Sequence, residues 1–207
     1  MSRRIRNSST ALISTMVVVL FFQLSTQWQM TQIQRFSIIT AYLSIVFFAL
    51  ALMIGPWLTL RGKRNPISLN LRRDLGIWSA FFATIHTIAG LNVHFAGQFW
   101  KYFIFPDYKS YAIPLRYDWF GLTSYLGLIA CFIFVALWMI SNNYSLRRLG
   151  VKRWKQWQRS SYLLILLIPL HGIIFQGLES RLGGFTLLIS FIIIMPLSLI
   201  LLMKNSG

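Results

Sequence analysis

The chain has 207 residues, of which 56% are hydrophobic and only 12% are charged. Because a soluble domain keeps roughly a quarter of its residues charged, this composition favours a membrane protein. The net charge of +16 would suit a nucleic-acid-binding protein only if the cations formed one patch on a soluble fold, and here they occupy short segments between apolar runs. The single cysteine, Cys131, excludes an internal disulfide.

Six apolar runs are long enough to cross a bilayer as helices, for which about 20 residues suffice. They cover residues 9–28, 36–60, 75–100, 119–141, 160–179 and 184–203. The first run follows three arginines, as a signal peptide would, but it lacks a clear small-x-small cleavage site, so we expect a retained span. The sequence therefore predicts an all-α fold, a polytopic bundle of six transmembrane helices that forms a single domain over residues 1–207.

The distribution of lysine and arginine predicts the orientation of the spans. Six alternating spans place fifteen of the twenty cations on one side, including the predicted loops 61–74 and 144–159, and five on the other. Cytoplasmic loops carry the excess of such residues, so we expect both termini in the cytoplasm of a cell with this protein in its inner membrane. Most of the basic residues are expected to contact lipid headgroups.

The longest outer segment is "WKYFIFPDYKSYAIPLRYDW", residues 100–119, and it is rich in aromatic residues. Aromatic belts at a membrane interface explain much of this composition, and a docking surface for a redox partner protein is the alternative. The sequence contains no G-x-G-x-x-G or P-loop motif, so a flavin would have to come from another chain.

All three histidines lie in apolar runs, and two of them are placed alike. His86 is 13 residues beyond Arg73, and His171 is 12 residues beyond Arg159. At a rise of 1.5 Å per residue, both lie roughly 18–20 Å up two parallel spans, at matching depth past the middle of the membrane. Two imidazoles at equal depth on neighbouring helices are the geometry of a six-coordinate heme in a helical bundle.

Other roles for this histidine pair remain open at this point. A membrane histidine can serve only as a hydrogen-bonding group between helices, although ionisable groups at such depth are costly and usually functional. A zinc site lacks cysteine or acidic ligands at the same depth. A proton relay would more naturally use aspartate or glutamate, and none of the four acidic residues lies in the interior of a span.

Small residues accompany the two histidines. Gly90 follows His86 by one turn, and Gly172 is adjacent to His171, so a bulky planar group can approach the backbone. Pro169 removes a helical hydrogen bond and is expected to kink the fifth span. Ordinary helix packing explains these small residues equally well.

His94 differs from the other two histidines. It lies eight residues after His86, which on a continuing helix is about 12 Å higher and about 80° around the axis. We therefore expect it near the outer interface in a hydrogen-bonding role, with contact to a partner or substrate, or metal ligation, as alternatives.

Two segments carry a resemblance to a known family. "LRRDLGIWSAFFATIH" (71–86) and "LRRLGVKRWKQWQRSSYLLILLIPLH" (146–171) resemble the ferric reductase-like transmembrane family. The resemblance implies a six-helix b-type cytochrome that passes electrons from a cytosolic flavin or a membrane quinol to an acceptor across the membrane. It also implies that His86 and His171 are the axial ligands of the heme iron.

The sequence departs from this family at one position. Members usually have a further histidine thirteen residues before the equivalent of His171, and this chain has Gln158 there. Glutamine is not a strong iron ligand, so we expect one heme b rather than two. Three arginines, Arg72, Arg73 and Arg159, are expected to pair either with heme propionates or with lipid phosphates.

The sequence thus predicts a b-type cytochrome that transfers electrons from quinol or a separate flavoprotein to an acceptor on the outer side. The redox partner protein would lie on the outer or the cytoplasmic side. A non-redox accessory subunit with structural histidines is the main alternative, and a transporter with a histidine relay is a third. A visible absorption spectrum distinguishes the cytochrome from the other two.

Overall fold

The computed structural model describes residues 15, 30–60 and 66–181. Within the latter two ranges the chain forms five α-helices, which are α1 (Gln32–Leu60), α2 (Pro66–Gly90), α3 (Trp119–Ile140), α4 (Asn143–Gln158) and α5 (Ser161–Leu178). The expected all-α class is confirmed for this part of the chain. The spans predicted at 9–28 and 184–203 lie outside the described residues, so the count of six helices stays a prediction.

Three stretches are long and apolar enough to cross a membrane. They lie within Gln32–Pro56, Trp119–Ile140 and Asn143–Leu178, and the apolar part of the last stretch is α5. Large apolar side chains face outward from these helices, with Phe132 66% exposed and Leu166 61% exposed. Lipid is as apolar as these side chains, so such faces are stable in a bilayer.

A reciprocal serine pair joins α1 to α2. The Ser44 hydroxyl donates to the Ser79 carbonyl oxygen at 2.9 Å, and the Ser79 hydroxyl donates to the Ser44 carbonyl oxygen at 2.8 Å. Both side chains are buried, and both hydroxyls are satisfied without water. Small residues at this contact let the two backbones approach closely, as is typical of helix pairs in membranes.

The helices form a bundle with two distinct ends. Helix α2 packs against α1 and α3, and α3 packs in turn against α5. The segment 91–118 closes one end, which we call the loop end. The other end carries α4 with its five cations, which we call the basic end; they are Arg147, Arg148, Lys152, Arg153 and Lys155.

Apolar side chains fill the half of the bundle toward the basic end. One buried cluster joins α1 and α2, and a second joins α1, α2, α3 and α5 through Phe48, Ala80, Phe134 and Leu164, among others. The rings of Phe48 and Phe134 pack edge to face with centroids 5.5 Å apart. Leu164 is fully buried, so this half is close-packed.

The structure corrects three predicted boundaries. The first is the start of α2, which begins at Pro66, inside the predicted loop 61–74 and nine residues before the predicted span. The segment 144–159, expected as a loop, is helix α4, because the Asn142 side chain caps it by accepting from the Ser145 amide at 2.8 Å. The Trp154 indole donates to the Ile140 carbonyl oxygen at 2.9 Å and ties α4 to the end of α3. Gly150 interrupts α4 with φ 73° and ψ 158°, a conformation that suits glycine.

The third predicted span ends ten residues early. Helix α2 stops at Gly90, and residues 91–97 form turns in which Ala96 and Gly97 have positive φ angles of 48° and 82°. The helix closes with tighter three-residue hydrogen bonds, from the Asn92 amide to the Ala89 carbonyl oxygen and from the Val93 amide to the Gly90 carbonyl oxygen. His94 therefore lies in a turn beyond the helix, and the expected position eight residues up a continuous helix is wrong.

The loop-end segment is anchored where α3 begins. The Asp118 carboxylate accepts from the Gly121 amide at 2.7 Å and pairs with the Arg116 guanidinium at 2.6 Å. The hydrogen bond from Arg116 is the main reason that the pKa of Asp118 lies below its ordinary value. The capped helix start and the ion pair together fix the end of the segment on α3.

Candidate functional site

His86 on α2 is held by α1. Its Nδ1 atom lies 2.9 Å from the Ser37 carbonyl oxygen and 3.1 Å from the Ser37 hydroxyl. A carbonyl oxygen only accepts hydrogen bonds, so Nδ1 carries the proton and donates. The Nε2 atom is then the unprotonated nitrogen, with its lone pair available to a metal ion.

His171 on α5 is held in the same way by α3. Its Nδ1 atom donates to the Thr123 carbonyl oxygen at 2.8 Å and lies 3.1 Å from the Thr123 hydroxyl. The hydroxyl in turn donates to the His171 carbonyl oxygen at 2.9 Å, and the Thr123 side chain is fully buried. Each imidazole thus has the proton on Nδ1, given to a backbone carbonyl of a neighbouring helix.

The two imidazoles face each other across the bundle. Their ring centroids are 6.3 Å apart, and their planes make an angle of 68°. Two imidazoles that bind one metal ion from opposite sides through bonds of about 2.0–2.1 Å have ring centres about 6 Å apart. The spacing of His86 and His171 therefore fits one metal ion between two Nε2 atoms.

Gly127 provides the space for the His171 ring. A Cβ atom at this position would lie 2.7 Å from Cε1 and 2.9 Å from Nδ1 of His171, closer than side chains tolerate. Gly127 follows Thr123 by one turn of α3, so both residues face His171. Sequence reasoning missed Ser37, Thr123 and Gly127; only the one-turn spacing of the last two is visible in the sequence.

One cavity contains both histidines and extends toward the loop end. Its empty volume is about 1290 Å³ when its open mouth is included. Apolar and small residues of four helices form most of its wall, including Ile45 of α1, Ala83 of α2, Leu128 of α3 and Ile168 of α5. A mostly apolar cavity with a few convergent polar groups is typical of a cofactor site.

Polar side chains gather where the cavity meets the loop end. His94, Glu179 and Arg181 lie together there, with His94 Nε2 at 3.3 Å from Glu179 Oε1 and Arg181 Nη2 at 3.1 Å from Glu179 Oε2. The His94 amide donates to the Tyr102 hydroxyl at 3.1 Å, and that hydroxyl donates to the Gly90 carbonyl oxygen at 2.7 Å. His94 and Arg181 line the cavity.

The three arginines singled out in the sequence lie toward the basic end. Arg73 donates to the Asn143 side-chain oxygen at 2.9 Å, and Arg72 and Arg159 are exposed. Gln158 is near Ser141, with 3.4 Å between Nε2 and the hydroxyl oxygen. The structure brings His86 and His171 together in one cavity. None of the three arginines lines that cavity.

Two glycines near the histidines, Gly90 and Gly172, were expected from the sequence to let a planar group approach the backbone. Gly172 is buried, and a Cβ atom at Gly90 would lie 3.4 Å from the Ser37 hydroxyl oxygen, so Gly90 serves the close packing of α1 on α2. Helix α5 continues through Pro169 to Leu178.

The described helices form a membrane bundle in which two histidines oppose each other across an apolar cavity. The chain is therefore an integral membrane protein with a candidate metal or cofactor site between its helices. The sequence pattern of the family described as ferric reductase like transmembrane component matches residues 36–169, which is more than half of the chain. The chain belongs to this family.

Curated relatives carry a more specific name. The "protein-methionine-sulfoxide reductase heme-binding subunit MsrQ" of Salmonella paratyphi B and of Salmonella newport are each 27% identical to this chain over 136 residues. The matched stretch covers 64% of this chain and 59% of each relative.

Proposed function

We propose that this chain is a b-type cytochrome that holds one heme b between His86 and His171 and transfers electrons across the inner membrane. The observation that carries the proposal is the opposed histidine pair, with both Nδ1 protons given to carbonyl oxygens and ring centroids 6.3 Å apart. The relatives named as heme-binding subunits and the ferric reductase family support it.

The residues around the cavity fit this cofactor. When bound, heme supplies one-electron chemistry at an iron whose potential depends on its axial ligands and surroundings. Ser37 and Thr123 fix the tautomer and orientation of the two imidazoles, and such carbonyl partners increase ligand basicity. Gly127 leaves room for the His171 ring, and the apolar wall keeps water away from the site.

The ligand count supports one heme rather than two. The family usually has a further histidine thirteen residues before the equivalent of His171, and this chain has Gln158 there, close to Ser141. Between that level and the histidine pair, Ala80 and Leu164 belong to the buried cluster that includes Phe48 and Phe134. Neither Gln158 nor Arg72 presents an imidazole, so a second heme lacks ligands at the basic end.

The charge distribution supports an orientation of the bundle in the membrane. The basic end carries α4 and its exposed cations, which favours a cytoplasmic position, so the cavity then lies in the outer half of the membrane. We propose quinol or a separate flavoprotein as the donor and a partner protein on the outer side as the acceptor. The histidine pair is closer to the loop end than to the basic end, which supports an outer acceptor.

A visible absorption spectrum distinguishes the proposed cytochrome from a protein whose histidines have only a structural role. We expect the purified protein to be red, with sharp visible bands after reduction and a bis-imidazole signature. His86→Ala and His171→Ala should each lose most of the bound heme, because each leaves one axial position open. His94→Ala leaves both iron-binding histidines in place and should keep the bis-imidazole spectrum, and Lys101→Gln, outside the cavity lining, is the matched control. Colourless wild-type protein from heme-replete cells, or full heme retention in both axial variants, would contradict the proposal.

A further inference from the structure

Two buried nitrogen atoms at the loop end of the cavity make no hydrogen bond. They are Nε2 of His94 and Nε of Arg181. The His94 nitrogen lies 3.3 Å from Glu179 Oε1 but without hydrogen-bond geometry. Buried polar atoms are nearly always hydrogen-bonded, so the free N–H of Arg181 Nε, beside His94 Nε2, points to an acceptor in the cavity.

The backbone brings Arg181 to this position. After α5 ends at Leu178, Ser180 has a positive φ of 55°, and the Arg181 amide donates to the Gln176 carbonyl oxygen at 2.8 Å. The chain thereby turns back over the end of α5, and the Arg181 side chain joins the cavity wall. This side chain is only 20% exposed.

Glu179 contacts the side chains of both His94 and Arg181 at the mouth. One carboxylate oxygen lies near His94, and the other accepts from Arg181 Nη2 at 3.1 Å. This arrangement positions the two side chains and still leaves His94 Nε2 and Arg181 Nε without a hydrogen bond. Glu179 is therefore a positioning residue for the site.

We propose that Arg181 and His94 bind the propionate carboxylates of the heme, an inference that rests on the proposed function. Carboxylate oxygens are acceptors only, and they suit donors on a guanidinium and an imidazole. The site lies in the same cavity as both axial histidines. It also orients the cofactor, with its charged edge toward the loop end and its apolar edge toward the packed half of the bundle.

The arginines at the basic end are too distant for this role. Arg72 is fourteen residues before His86 and Arg159 is twelve residues before His171, which corresponds to about 18–21 Å along a helix. Both are exposed and suit lipid phosphates.

Binding of heme and of heme dimethyl ester tests the proposal. The ester keeps the iron and the ring but removes both carboxylate charges. Apoprotein of the full chain in detergent is titrated with each compound while the Soret band is followed. We expect wild-type protein to bind heme at least tenfold more tightly than the ester, because charge-assisted hydrogen bonds to a buried arginine are lost.

Substitution of the arginine should remove this preference. Arg181→Gln is expected to lower heme affinity about tenfold and to leave ester affinity unchanged. Lys101→Gln is the control, because Lys101 also carries a positive charge at the loop end but does not line the cavity. This control variant should keep the wild-type ratio.

Each result has a defined meaning. Equal wild-type affinities for heme and ester would overturn the inference even if Arg181→Gln fails to fold. An unchanged ratio in folded Arg181→Gln would overturn it too. In both cases a bis-imidazole spectrum leaves the proposed function standing, whereas absence of that spectrum with both compounds contradicts the proposed function and the inference together.

Discussion

Replacing Gly127 by alanine places a methyl group against the His171 ring. The new Cβ atom would lie 2.7 Å from Cε1, 2.9 Å from Nδ1 and 3.3 Å from Nε2. Carbon atoms in contact prefer about 3.5–4.0 Å, so the ring must move by about 0.8–1.3 Å. Metal–ligand distances are held to within about 0.2 Å, so a shift of this size should break or weaken the proposed bond from His171 to iron.

The same movement weakens the contact that orients the imidazole. His171 Nδ1 donates to the Thr123 carbonyl oxygen at 2.8 Å, and losing such a hydrogen bond costs about 0.5–1.5 kcal/mol. Overpacking a well-packed site costs about 1–3 kcal/mol, partly offset by the higher helix propensity of alanine, which is worth about 1 kcal/mol. We expect a net loss of about 1–3 kcal/mol in the free energy of unfolding, together with most of the bound heme.

Gly76→Ala is the matched control for this experiment. Gly76 also lies in a helix, and a Cβ atom there would have no other atom within 4 Å. This variant should bind heme fully and melt at the wild-type temperature or slightly above. Heme content by pyridine hemochrome and melting temperature in detergent are measured for both variants. A Gly127→Ala protein with full heme content and an unchanged spectrum would refute the geometry of the site.

Three further predictions follow from other parts of the chain. A hemochrome assay should give one heme per wild-type chain, and Gln158→His should create or strengthen a second site; two hemes without the substitution would contradict the ligand count. In a Cys131→Ser background, Ser110→Cys should react with an impermeant thiol reagent in intact cells, and labelling only after lysis would reverse the proposed orientation. Asp118→Ala should cost about 0.5–2 kcal/mol at pH 7 through loss of the helix cap. The folded pKa of Asp118 lies below its ordinary value of 3.8, so this stabilisation is present above that value and is lost as the pH falls through the folded pKa; a difference in melting temperature that persists in strong acid would argue against it.

Helical rise explains why the histidine pair was predictable. His86 and His171 follow their basic flanks by nearly equal numbers of residues, and a fixed 1.5 Å per residue converts that count into equal depth. The four described apolar runs overlap α1, α2, α3 and α5, and hydropathy by itself selects three of these helices, α1, α3 and α5.

Contacts between helices were not predictable from the same sequence. The partners of the two imidazoles, Ser37 and Thr123, are set by the relative shift of adjacent helices, which no single-helix pattern specifies. The end of α2 at Gly90 is set by the hydrogen bonds that Asn92 and Val93 donate, within an apolar run that hydropathy alone does not divide. Arg181 reaches the cavity only because the backbone reverses at Ser180.

The serine pair between α1 and α2 also bears on which nitrogen of His86 carries the proton. Ser37 lies seven residues before Ser44, and His86 lies seven residues after Ser79. Seven residues are close to two full turns, so in an antiparallel pair the contact at Ser44 and Ser79 repeats in phase at Ser37 and His86. A single inserted residue between Ser37 and Ser44 would rotate the Ser37 carbonyl by about 100° and remove the acceptor that keeps the His86 proton on Nδ1. The chemistry available at His86 is thus set by helical phase at the Ser44–Ser79 contact, two turns away along both helices.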